Sequence, residues 1–87
     1  MELIIALDML ESEGRDRNLS KIILNLLMKG PKLLSEIVQE ANKEHYFDHE
    51  VTPVLGSLKD YELVVLDKSS KRFCINNNYL NSTLSYN

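Results

Sequence analysis

Between Val51 and Ile75 the hydrophobic period of the chain changes. Val51, Val54, Leu55, Leu58 and Tyr61 recur at spacings of three and four, the period of a half-buried helix. Leu63 to Leu66 and Arg72 to Ile75 then read as two short β-rich runs around the polar turn Asp67-Lys68-Ser69-Ser70-Lys71. A helix that leads straight into a tight hairpin is the pattern of a recognition helix braced by a wing. The expected fold is therefore mainly α with a small β-hairpin, a winged helix-turn-helix with an extra N-terminal helix.

The upstream sequence supplies the other helices. Leu3, Ile4, Ile5, Leu7, Met9 and Leu10 cover well over half of a helix that ends at Gly14. So apolar a helix must lie beneath the domain or pair with its own copy, and Leu3, Ile4, Leu7 and Leu10 are the expected dimer contacts. After the charged connector 15–18, a helix capped by Ser20 or Asn18 buries Ile22, Ile23, Leu26 and Leu27 and stops at Gly30-Pro31. Leu33, Leu34, Ile37, Val38 and Ala41 mark the next helix, and the period is lost from Asn42 to Asp48, which reads as a turn with Tyr46 or Phe47 plugging the core. This divides the chain into an N-terminal helix at 1–14, a winged-helix domain at 19–76 and a tail at 77–87, where Tyr79, Leu80 and Leu84 could add a last helical turn.

With 87 residues the chain has room for one domain and a modest core. No run approaches the roughly 18 apolar residues of a membrane span. The apolar stretch Leu3 to Leu7 has neither preceding bases nor a small-residue cleavage site, so a secretory leader is not expected. A single Cys74 excludes an intrachain disulfide and fits a reducing, cytoplasmic setting.

The formal charge of -3 argues against a generic nucleic-acid binder, but it is unevenly distributed. Residues 1–14 hold Glu2, Asp8, Glu11 and Glu13 and no base, which leaves ten bases against nine acids in the rest. Lys68, Lys71 and Arg72 surround Asp67 in the hairpin turn, whereas residues 48–62 set Asp48, Glu50, Asp60 and Glu62 against Lys59 alone. The helix face opposite Val51, Leu55 and Leu58 carries His49, Pro53, Gly56 and Asp60, flanked by Thr52 and Ser57. Pro53 is expected in the first turn, where its missing N–H has no cost.

The run Thr52-Pro53-Val54-Leu55-Gly56-Ser57-Leu58-Lys59-Asp60-Tyr61-Glu62-Leu63-Val64 resembles the recognition-helix region of PadR-like winged-helix transcriptional regulators, with Pro53, Leu55, Leu58, Leu63 and Val64 matching. Ile23 to Pro31 with Glu36-Ile37 resembles that family's first helix, stop and second helix, and Lys71, Phe73 and Ile75 resemble its second wing strand. The similarity spans about residues 20 to 76. Gly56 and Ser57 replace residues that are often basic in the family, and Glu62 replaces its turn Gly. The 11 residues after Asn76 leave no room for the family's long dimerisation helix, which would assign a dimer to the N-terminal helix.

Catalytic chemistry is not expected. Cys74 alternates within a strand and reads as a small core residue. His45 and His49 have a metal-ligand spacing on one helix but fall across the expected turn, so neither a metal nor any other cofactor is implied. The sequence points to a homodimer on double-stranded DNA, with His49, Thr52, Pro53, Ser57 and Lys59 toward the major groove. Lys32 and Lys43 would lie near the backbone and Lys68, Lys71 and Arg72 on flanking phosphates. The alternative is a winged helix that serves as a protein-interaction module and docks a partner on the face of its third helix.

Overall fold

The computed structural model describes residues 3 to 76, which form four helices and a three-stranded antiparallel sheet. In chain order these are α1 (Leu3–Ser12), α2 (Arg17–Met28), β1 (Lys32–Leu33), α3 (Leu34–Lys43), α4 (Asp48–Asp60), β2 (Val64–Asp67) and β3 (Arg72–Ile75). The expected turn of the tail at Tyr79, Leu80 and Leu84 lies outside the described residues. No helix among the described residues is long and apolar enough to cross a membrane.

One core joins the helices and the sheet. Leu19, Ile23, Leu24 and Leu27 of α2 meet Ile37 and Ala41 of α3, Val51, Val54, Leu55 and Leu58 of α4, and Leu63 and Val64 at the entry to β2. Ile22 and Leu26, expected inside, are only half-buried, because the inward stripe of α2 is rotated toward Leu19 and Leu24. Ala6, Leu7 and Leu10 of α1 join the same core, at 0%, 4% and 0% exposure. Leu7 and Leu10 are therefore interior packing residues rather than dimer contacts, and burying such leucines is worth roughly 1.5–3 kcal/mol each. Ile4, Ile5 and Met9 remain outside, and the side chain of Leu3 lies outside the described set.

The helix ends show how local chemistry fixes the path. Asp16, not Ser20 or Asn18, caps α2: its Oδ1 accepts the Leu19 N–H at 3.0 Å, while Ser20 is buried and donates its hydroxyl to the Asp16 carbonyl. α1, α3 and α4 close in one way, a left-handed residue followed by an N–H that reaches back five residues: Arg15 to Leu10, Tyr46 to Ala41 and Leu63 to Leu58. Only the first uses glycine, Gly14 at φ +88; His45 (φ +70) and Glu62 (φ +62) serve in the other two. Glu62 thus makes the turn that its side chain disfavours, and the Asn76 side-chain amide donates to its carbonyl at 2.7 Å.

The sheet differs from the expected two-stranded hairpin. β3 is central, with the order β1-β3-β2, because Lys32 and Leu33 pair with Phe73 and Arg72. A two-residue strand has no readable period; it forms because the outer edge of β3 offers backbone groups that would otherwise lack partners.

Candidate nucleic-acid interface

α4 owes its helicity to the inward set Val51, Val54, Leu55 and Leu58 and to Glu50, whose Oε2 accepts the Phe47 N–H at 2.7 Å. This bond starts the helix earlier than the sequence suggested, at Asp48, so Pro53 stands inside the helix and not in its first turn. There Pro53 cannot donate to the His49 carbonyl, a loss the buried face of α4 must outweigh. Gly56 is exposed, and a Cβ added there would meet nothing within 4 Å. Its smallness serves no contact among the described residues. The outward face of α4 is thus low in profile, formed by His49, Thr52, Pro53, Gly56, Lys59 and Asp60.

Ser57 is not on that face. It is 7% exposed, and its hydroxyl accepts a hydrogen bond from Arg15 Nε at 3.0 Å. The guanidinium comes from the α1–α2 connector, 42 residues away in the chain, and with it Ser57 becomes a tie between α4 and the N-terminal segment. A second tie runs from the Tyr61 hydroxyl, which donates to Glu13 and has its pKa raised by that bond. Arg17, bonded to Asp8 and 3.7 Å from Glu11, holds α1 to the start of α2.

The hairpin and β1 gather the cations. The β1–β3 register puts Lys32 opposite Phe73 and Leu33 opposite Arg72, so Lys32, Lys68, Lys71 and Arg72 lie toward the same corner of the sheet, Lys32 on the Phe73 face and Arg72 on the other. Two acids enter this corner, and both have structural roles. Asp67 accepts from the Ser69 hydroxyl at 2.8 Å, the Ser69 N–H at 3.1 Å and the Ser70 hydroxyl at 3.0 Å, and these bonds hold its pKa below the usual value. Glu36 accepts the Leu33 N–H at 2.8 Å, which caps α3, and a bond from Arg72 at 3.3 Å. The backbone bond first, then the charges of Arg72 and Lys32, lower its pKa. Lys68 and Lys71 are exposed at the turn, with Lys71 at φ +59.

Lys43 lies apart from this corner, exposed at the end of α3 and 3.7 Å from Glu40. Tyr46, not Phe47, is the residue that packs on the core; its hydroxyl donates to Asp16 at 3.2 Å and accepts from Asn18 at 3.0 Å. Phe47 is exposed. Among the described residues no group of three His, Cys, Asp or Glu side chains comes together as metal ligands would. His45 occupies the α3–α4 turn and His49 the first turn of α4.

Sequence reasoning missed Glu36 and Arg15. Glu36 follows Leu33 by three positions, and Glu50 follows Phe47 by three, which is half of a capping-box signature without its Ser or Thr. Arg15 left no local signal, since its partner is distant in the chain. The chain matches no protein-family model, no curated protein and no solved structure.

Proposed function

We propose that the segment from α2 to β3 is a winged helix-turn-helix and that the protein is a small regulator that binds double-stranded DNA, working as a homodimer. The observation that carries this reading is the cationic corner. Lys68, Lys71 and Arg72 lie at or beside the hairpin turn, with Lys32 on the neighbouring strand, while the two acids among them, Asp67 and Glu36, accept internal hydrogen bonds and Glu36 is paired with Arg72. Phosphate neutralisation by such side chains supplies most of the non-specific affinity for duplex. The low face of α4 complements it: without long side chains at Pro53 and Gly56, the helix backbone can come close to a groove floor, with His49, Thr52 and Lys59 as donors. Homodimerisation would use what α1 leaves uncovered, Ile4 at 67% exposure with Ile5 and Met9.

A second reading has its own support. Residues 40–50, which lead into α4, hold Glu40, Glu44, Asp48 and Glu50 against Lys43 alone, a charge pattern that repels phosphate. It favours a protein-interaction module. Fluorescence anisotropy with a random-sequence duplex at about 50 and 200 mM salt separates the two. Binding that weakens steeply with salt is the expected result. No binding at the lower salt would reject the DNA reading and leave the interaction module as the function.

A further inference from the structure

The start of α4 has a feature that neither folding nor phosphate contact explains. Phe47 occupies the N-cap position, where Ser, Thr, Asp or Asn would bind a free helix N–H, and it makes no side-chain cap bond. It is 66% exposed, so it does not fill the core either. Its ring stacks on His49, with centroids 5.8 Å apart and planes within 7° of parallel. Asp48, the next residue, is one wall of an open groove of about 540 Å³ that α3 lines with Leu34, Ser35, Val38, Gln39 and Asn42. Leu34 is 42% exposed and Val38 half-buried. An apolar strip and an exposed aromatic pair therefore lie beside the acid-rich segment 40–50.

The acids there are not all used within the chain in the same way. Glu50 is turned to the Phe47 N–H and Glu40 to Lys43, while Glu44 and Asp48 are exposed, Asp48 accepting a 3.3 Å bond from the Asn42 amide. We propose that the groove between α3 and the start of α4 docks a segment of another protein in which an apolar side chain is flanked by Lys or Arg. The apolar side chain is received by Leu34 and Val38, the cations face Asp48, and Phe47, the residue before it, supplies an exposed aromatic contact. Charge complementarity selects this occupant over a nucleic acid, whose phosphates would meet the Asp48 carboxylate. The inference goes beyond the DNA reading, since the groove and the cationic corner have no residue in common.

The test is to pan a displayed library of random peptides on the whole chain, with Phe47→Ser as the counter-target. Enriched peptides should share an apolar or aromatic residue next to Lys or Arg and should bind Phe47→Ser at least about tenfold more weakly. The same variant should melt at or above the parent temperature, because Ser provides the cap that Phe47 lacks. Enriched peptides without basic residues, no enrichment over the counter-target, or equal binding to both proteins would overturn the proposal. So would a lower melting temperature for Phe47→Ser, which would make Phe47 a structural residue. The hairpin variant Lys68→Glu with Lys71→Glu keeps the two readings apart, since it should lose duplex affinity while its peptide binding is expected to change little.

Discussion

The two ends of the α3–β3 region are built on one device and have opposite surfaces. At each, a glutamate in the first turn of a helix takes back the N–H of an apolar N-cap residue: Glu36 for Leu33 and Glu50 for Phe47. At the Leu33 end the carboxylate is also bonded to Arg72 and lies among cations that the sheet has gathered. At the Phe47 end the neighbours are Glu44 and Asp48, and the apolar cap is left in solvent. The difference teaches that helix capping fixes the backbone and leaves the charge of the surface open. What surrounds the cap, and so which partner it suits, depends on the strand or turn brought beside it.

The contrast is most sharply tested by reversing charge at the basic end. Lys68→Glu with Lys71→Glu should weaken duplex binding roughly a hundredfold at about 50 mM salt and reduce the slope of log affinity against log salt by about two. Peptide binding at the other end should be unchanged. An unaltered slope would remove the hairpin turn from the DNA reading. Ser57 provides a control that separates fold from binding: Ser57→Ala leaves the Arg15 guanidinium without its 3.0 Å partner and should cost about 1 kcal/mol in denaturant unfolding. If the DNA salt slope also changed, Ser57 would have a role beyond this tie.

Gly56→Ala should have a smaller effect, of opposite sign for folding. The added methyl has open space, so the helix should gain about 0.5–1 kcal/mol. If the α4 face approaches DNA closely, the same methyl lowers duplex affinity; a variant that is both more stable and equally tight would show that Gly56 is merely tolerated.

The smallest effect is expected from acid. Glu36 and Asp67 have folded-state pKa values below their ordinary values of 4.5 and 3.8. Their contribution is complete above those values and is lost as pH falls through the depressed folded ones. Melting temperature should therefore decline as pH falls from about 5, and the decline should be shallower in Glu36→Gln. Equal slopes in parent and variant would deny Glu36 its part at the basic end.

Much of this was legible along the chain because it depends on neighbours in sequence. The four helices, the stop at Gly14 and the hairpin follow from hydrophobic period and from residues that punish the wrong backbone, although its first strand runs Val64–Asp67 and not Leu63 to Leu66, and the inward positions Val51, Val54, Leu55 and Leu58 are where their spacing puts them. Asp16 caps α2 where the sequence favours Asn18 or Ser20, because the three stand within one turn and propensity does not rank good caps so close together. Pro53 stands deeper in α4 than its spacing suggests for a related reason: Glu50, by capping from inside the helix, lets α4 begin at Asp48.

The sequence by itself determined which stretches are helix, which form the hairpin, and where the cations and acids fall along the chain. Only the tertiary structure decided that Leu7 and Leu10 are interior, that Arg15 removes Ser57 from the α4 surface, and that β1 adds Lys32 to the cations around the hairpin. Each of these joins residues far apart in sequence. Periodicity records that a side chain must be buried, but not against which element, and a two-residue strand exists only once its partner's edge is in place.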